Sequence, residues 1–555
     1  MTQPKTLSTK QSRSLPVRRP AVVFQPNLID GMNLIADVVK PTLGPLPRTV
    51  GIENTTTRDR PPEVLDSAGV IARRIIQVGG LTRDAGAMMM RHAIWRMHET
   101  CGDGAATVAV LAQAIMLQAT KAVAAGAHPA LIKQGIELGT RQAATALSAQ
   151  AMRLPGGKPG RDLLADLART LCPDTELAEV LVEIVEITGA DGAVHVINSD
   201  SRRIEREYVE GAMWEWEWLT SGFATDVSQH IVRATDAAVV VLDGKLDNAE
   251  NTIEGLRRLY TLGKTSLVLI AEDVTDEAKG VLIQAKLRGG FTIVPVKAIV
   301  NDAKRVVALS DIAALTGARI LFDNSLGFAA MTEDDLGHVR RAWVTAKQFG
   351  LIGGQRDPMA LRHNIELVRK QIDDTDNLDE IAELRLRLGR LAGGLALVRV
   401  GAATSKMQED RKDQAIRLSR ALQMATRRGL IPGGGAALLK ASEAINPNGA
   451  VSDIAFGMRC VARGLEAPLA TIAANSGHDP STIVHQARMA SATREARVYG
   501  LDARTGQIVD MLGAGIVDAA ETAVRALQVA SSLAAMAITT DAVIHHRQPA
   551  ISALP

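Results

Sequence analysis

Between Gly192 and about Arg390, short β-branched runs alternate with helical ones, while the sequence on both sides is helical in texture. The runs Ala237 to Leu242, Ser266 to Ala271 and Phe291 to Val296 are separated by the helical stretches Ile253 to Tyr260 and Glu277 to Leu287. Such alternation predicts a parallel sheet with covering helices. A long, charged helical pair follows, about Met359 to Gln371 and Leu378 to Leu391, ending at Gly393-Gly394. Leu154 to Asp191 reads as two helices, interrupted at Pro155-Gly156-Gly157 and Cys172-Pro173 and closed by Gly189. From about Asn27 to Gln150, and from Gly394 to the C-terminus, apolar residues recur at helical spacing. This nesting predicts an α/β module inside a helical protein whose two ends form one domain.

Composition fits that reading. At 555 residues the chain exceeds one core, and 46% hydrophobic residues supply apolar surface for two to four domains. Aromatics are only 3%, with alanine and glycine abundant, which suits closely packed helices better than a β-sandwich. The net charge of +2 sets up no field that would recruit nucleic acid or an acidic membrane. Cys101, Cys172 and Cys460 have neither metal spacing nor an even disulfide count, so a reducing cytoplasm is the expected location. The first 29 residues carry Lys5, Lys10, Arg13, Arg18 and Arg19 without an acid, and no apolar run follows, so a disordered basic tail is expected instead of an export signal. The uncharged run Ala526 to Thr540 is short of the ~20 residues of a membrane span and reads as a buried helix.

Two glycine-bearing loops point to chemistry: Thr42-Leu43-Gly44-Pro45, and Gly102-Asp103-Gly104-Ala105-Ala106-Thr107 running into a helical stretch. A glycine turn at a helix start leaves N–H groups to receive phosphate oxygens, and one carboxylate there can hold magnesium. A third loop, Gly433-Gly434-Gly435, lies in the C-terminal block. Other chemistry finds no support, since the histidines lack zincin spacing and no Gly-x-Ser-x-Gly elbow occurs.

These words, in this order, resemble the bacterial group I chaperonins over roughly residues 20 to 545. Besides the loops, the resemblance is carried by Val110-Leu111-Ala112-Gln113-Ala114-Ile115, Ala122-Val123-Ala124-Ala125-Gly126, Ile270-Ala271-Glu272-Asp273-Val274, Leu391-Ala392-Gly393-Gly394, Val400-Gly401-Ala402-Ala403-Thr404 and Ile538-Thr539-Thr540. It implies a mainly α fold with an α/β insertion: a helical equatorial ATP-binding domain (21–149 and 428–545), a hinge-like intermediate domain (150–209 and 395–427) and an α/β apical client-binding domain (210–394), with tails at 1–20 and 546–555. It further implies ATP and Mg as cofactors, with Thr42, Leu43, Gly44, Pro45, Gly104, Ala105, Ala106, Thr107, Gly434, Asp502 and Asp518 around the nucleotide and Asp103 as the magnesium ligand.

The sequence departs from the family pattern where hydrolysis is concerned. The second loop keeps one threonine, Thr107, where the family has three, and Leu46-Pro47 replace a Lys-Gly pair. The two water-activating aspartates of the family fall at Ser67, in Asp66-Ser67-Ala68, and at Arg417. No catalytic residue is therefore assigned; Asp66 and Asp413 are the candidate substitutes, and slow or absent turnover is expected because losing such a group costs ~10²- to 10⁴-fold.

Trp214, Trp216 and Trp218 alternate with Glu215 and Glu217, so a strand would project all three indoles from one face. Core packing is the reading for Trp214 and Trp216. The resemblance assigns client contact to Trp218 and Phe223 and to Ile253, Leu256 and Ile283 of a two-helix groove, while Lys279 and Gln284 stand where apolar residues are usual. Three functions remain open at this stage. One is a homo-oligomeric ring subunit specialised for few non-native clients, a binuclear-iron monooxygenase being one candidate, with impaired hydrolysis. The others are an ordinary ATP-hydrolysing foldase working with a lid co-chaperonin, and a non-catalytic holding or regulatory partner in a mixed ring with a normal chaperonin.

Overall fold

The computed structural model describes residues 20–53, 62–79, 81–199, 201–225, 231–288, 290–298, 302–322, 324–346, 348–355, 357–375, 377–392, 394–493 and 497–546. The expected tails lie outside these residues apart from Pro20 and His546, as does Gly393. The chain forms two compact units, one of residues 1–152 with 428–555 and one of residues 153–427.

The first unit is built on the helices Gln25–Val39, Leu81–Cys101, Ala105–Ala124, Pro129–Ala149, Ser452–Gly464 and Ala520–Thr539. Small residues set how closely they pack. A Cβ at Gly86 would lie 1.8 Å from Leu28 O, and one at Gly135 or Gly457 would strike the facing backbone within 2.2 Å. Glycine there lets helix backbones touch, which is the physical use of this composition. The helix Ala520–Thr539 starts six residues earlier than the uncharged run suggested. It and Ala105–Ala124, each 20 residues, are long and apolar enough to cross a membrane, yet both pack into this unit's core. The strands Pro20–Phe24 and Ala542–His546 pair antiparallel, a contact the helical pattern did not predict.

Among the described residues the second unit contains a three-stranded sheet, an eight-stranded sheet and the short parallel pair Lys245–Leu246 with Asp273–Val274. In the three-stranded sheet, Gly394–Val400 lies between Ala193–Asn198, to which it is parallel, and Glu205–Glu210, to which it is antiparallel. The hinge-like and client-binding parts expected separately both fall in this unit.

The larger sheet has eight strands. Val232–Leu242, Ser266–Ala271, Thr292–Lys297 and the short Ile320–Leu321 run parallel, as the alternation predicted. Gly337–Val344, Phe349–Gly354, Ala212–Trp214 and Glu217–Trp218 are antiparallel, so the sheet is mixed. Ala212–Trp214 and Glu217–Trp218 stand at the two ends of the strand order although two residues separate them, so the sheet curls until its ends approach. This corrects the single tryptophan strand. Trp214 and Trp216 are buried, with ring centroids 5.6 Å and 6.3 Å from Phe349, whereas Trp218 pairs with Val296 and is half-buried.

Candidate functional site

In the first unit the antiparallel pair Leu430–Pro432 and Val517–Ala519 sets Ile431 opposite Asp518. Pro432 leads directly into the three glycines, and Gly433 N donates to Ile516 O at 2.9 Å. Gly434 and Gly435 have φ of +63° and +79°, the left-handed region that an L side chain enters at a cost. Gly434 turns its N–H to the Asp518 carboxyl. Burial first, and the nearby Asp103 carboxylate second, push the Asp518 carboxyl up to about 7, against the opposing Gly434 hydrogen bond. Asp103, Gly434 and Asp518, chosen from separate stretches of sequence, thus share one neighbourhood.

Gly104 caps the helix Ala105–Ala124 at φ +79°. The first intrahelical bond runs from Val108 N to Gly104 O at 3.0 Å, so Ala105, Ala106 and Thr107 begin a helix whose first N–H groups have no intrahelical acceptor. A Cβ at Gly104 would lie 2.8 Å from Met97 Cε and 3.0 Å from Thr522 Cγ2. Thr522 is buried, and among the described residues its hydroxyl has no hydrogen-bond partner. An orphaned hydroxyl beside a loop of phosphate-binding form is a group that a polar ligand or a water would satisfy. Asp103 supplies carboxylate oxygens, the donors a magnesium ion takes. On these observations the residues present fit a magnesium nucleotide.

The first loop is a single 3-10 turn, Lys40–Thr42, followed by Leu43 and by Gly44 at φ +110°. Thr42 Oγ1 donates to Val39 O at 2.7 Å, which commits the buried Thr42 hydroxyl to the turn. Leu43 is half-buried against the apolar cluster that includes Leu469 and Ile472, and Pro45 is exposed. Asp502 closes the hairpin of Tyr499–Asp502 and Gln507–Asp510: its carboxylate accepts from Arg504 N at 3.0 Å and Thr505 Oγ1 at 2.8 Å. Turn formation therefore explains Asp502 locally. Asp66 is exposed between Glu63–Leu65 and Ala68–Arg74. Asn475, which the sequence reading missed, donates to both Lys40 O and Leu43 O; the missed Thr522 carries no motif at all.

In the second unit Arg417 Nε donates to Asp413 Oδ2 at 3.0 Å on the helix Ser405–Arg428. The candidate substitute Asp413 is thus ion-paired with Arg417, where the resemblance expects an aspartate.

On the client side, Ile253 is 46% exposed on the helix Ala249–Thr261, and Ile283 is half-buried on Asp276–Leu287. Leu256 and Phe223 are buried in the sheet's core. Neither presents a surface to a client in this conformation: Leu256 points inward on an amphipathic helix, and Phe223 ends a 3-10 turn packed against Asp276–Leu287 and Thr292–Lys297. The sequence reading missed Tyr260 and Leu287, exposed on the same two helices, and Tyr260 has its ring centroid 6.4 Å from that of Phe291. Lys279 ion-pairs with Asp276 at 3.3 Å.

The sequence profile of the TCP-1/cpn60 chaperonin family matches residues 35–548. In fold the chain is similar to the chaperonin gp146 from the bacteriophage EL 2 (Pseudomonas aeruginosa), solved in the presence of ATP-BeFx. Crystal form I gives a TM-score of 0.67 at 18% identity, covering 95% of this chain and 99% of that one. Crystal form II gives 0.60 at the same identity and coverage.

Proposed function

The chain belongs to the TCP-1/cpn60 chaperonin family, and from that premise we propose that it is an ATP-binding ring subunit that captures a restricted set of non-native proteins and hydrolyses nucleotide slowly. Its fold is that of a chaperonin subunit. Within the family we place it as a divergent bacterial group I member, on the loops Thr42 to Pro45 and Gly433 to Gly435.

The observation that carries nucleotide binding is the meeting of Asp103, Gly434 and Asp518 beside the left-handed Gly104 cap. The helix start at Ala105 favours phosphate oxygens through its N–H groups and dipole. Asp103 would hold magnesium, Asp518 would lie beside the nucleotide, and the Thr42 to Pro45 loop would flank the phosphates. When bound, ATP supplies phosphate-transfer free energy to drive a conformational cycle. The residues of this chain hold it better than they hydrolyse it: Ser67 carries no carboxylate, and Arg417 occupies Asp413.

Client capture is supported by the exposed Ile253, Tyr260 and Leu287. Apolar groups interspersed with Arg257 and Lys279 discriminate among partners, because a wrong partner leaves polar groups unpaired. Arg417 favours a second reading, a holding subunit with no turnover that relies on an active partner ring. The test is calorimetric titration of the purified chain with ATP and magnesium, with Asp103→Ala as the control. Saturable binding lost in the variant supports the proposal; equal binding by both proteins, or by neither, refutes the pocket.

A further inference from the structure

The loop Lys40 to Pro45 has little of its own to hold it. Pro41, Pro45 and Pro47 carry no N–H, and the bonds that close the loop are local ones, Leu43 N to Lys40 O, Thr42 Oγ1 to Val39 O and Arg48 N to Pro41 O. Among the described residues, the hydrogen bonds tying it to a distant element come from one side chain. Asn475 Nδ2 donates to Lys40 O at 3.1 Å and to Leu43 O at 2.8 Å. A primary amide has two hydrogens on one nitrogen and can serve two carbonyls at once; a hydroxyl has one hydrogen, and a carboxylate has none.

Asn475 ends the helix Ala467–Asn475, and the same segment touches two other walls of the cradle. At its start, a Cβ on Gly435 would lie 2.8 Å from Leu469 N, so the triple-glycine loop rests on the helix backbone. One turn before Asn475, Ile472 lies 3.5 Å from where a Cβ on Gly44 would stand. Just past the helix, His478 Cε1 lies 2.9 Å from the corresponding position on Gly506, in the hairpin turn that Asp502 builds. Residues 469–478 therefore meet the first loop, the triple glycine and the hairpin, with Asn475 the polar contact to the first.

We infer that Asn475 is a positioning residue for the phosphate end of the nucleotide, fixing the Thr42 to Pro45 loop by its paired bonds to the carbonyls of Lys40 and Leu43. This rests on the nucleotide-binding reading and adds to it the residue that determines how strongly phosphate contributes to affinity. Asn475 acts through the loop, so its loss is felt by a ligand that carries phosphates and not by one that lacks them.

The experiment is calorimetric titration of the full chain with magnesium ATP and, separately, with adenosine. It compares wild type, Asn475→Asp, which keeps the shape and removes both donors, and Asn475→Ala, which carries the test if the aspartate variant does not fold. Removing two hydrogen bonds of ordinary net strength predicts a roughly tenfold loss of ATP affinity. Adenosine affinity is expected to stay within about twofold. An unchanged ATP affinity, or equal losses for ATP and adenosine, overturns the role of Asn475 while leaving nucleotide binding intact. A wild-type chain that binds neither ligand overturns the nucleotide reading itself, and this inference with it.

Discussion

Arg417 donates to Asp413 at 3.0 Å across one turn of the helix Ser405–Arg428, so the arginine at a position where the resemblance expects an aspartate also neutralises the nearest carboxylate on that helix. Charge reversal and sequestration act together. The double variant Ser67→Asp with Arg417→Asp is predicted to raise phosphate release by ~10²-fold or more, the usual worth of a positioned acid–base group. Steady-state phosphate release, with the Asp103→Ala chain as background, measures it. Arg417→Ala, which removes this ion pair without supplying a carboxylate at 417, is expected to gain less.

Gly104 and Gly435 share φ +79° but differ in what surrounds them. The left-handed conformation costs an alanine about 1–2 kcal/mol at either position. At Gly104 the added methyl meets Met97 Cε, the end of a flexible chain, whereas at Gly435 it meets Leu469 N, which is backbone. Thermal unfolding without nucleotide is predicted to show Gly435→Ala more destabilised than Gly104→Ala, with both below wild type.

Asp174 gives the second unit a dependence on acid. Burial pushes its carboxyl up, but the bond from Arg411 Nε at 2.7 Å and the helix-capping bond from Leu177 N at 3.1 Å outweigh it, and the net shift is downward from 3.8. A carboxyl held lower in the folded state contributes stability above its unfolded value that is lost as pH falls through 3.8 and below. Arg411→Ala should therefore be less stable than wild type at neutral pH, with the gap closing below about pH 4. Tryptophan fluorescence during urea unfolding reads this, since Trp214, Trp216, Trp218 and Trp343 lie in that unit.

Core and surface apolar residues of the second unit should separate in a capture assay. Trp216→Ala empties a buried site and is predicted to cost about 3–5 kcal/mol. Ile253→Asp changes a half-exposed side chain, so thermal stability should move by no more than about 0.5 kcal/mol while suppression of a denatured client's aggregation falls.

Legibility in the sequence followed the range of the interactions. Ser266–Ala271 and the helix Asp276–Leu287 were visible because periodicity and flanking residues are local signals. The pairing of Gly337–Val344 with Val232–Leu242, and of Pro20–Phe24 with Ala542–His546, was not visible, because those partners lie far away in sequence and leave no pattern in either strand. Among site residues, Gly104 and Gly434 announced themselves as glycines in glycine-rich words. Asn475 gave no such sign: its function depends on carbonyls more than 430 positions away. The burial of Phe223 and Leu256, which the resemblance placed at the client surface, was not legible because it depends on what the folded sheet covers.

The most direct measurement follows bound nucleotide and released phosphate together, in one sample of the purified chain given magnesium ATP. The account predicts ATP retained by the chain, with phosphate release lower by ~10²-fold or more than after Ser67→Asp with Arg417→Asp, and no retention by Asp103→Ala. Rapid release by the wild-type chain that disappears in Asp103→Ala would contradict slow hydrolysis, and absence of retained nucleotide would contradict the pocket.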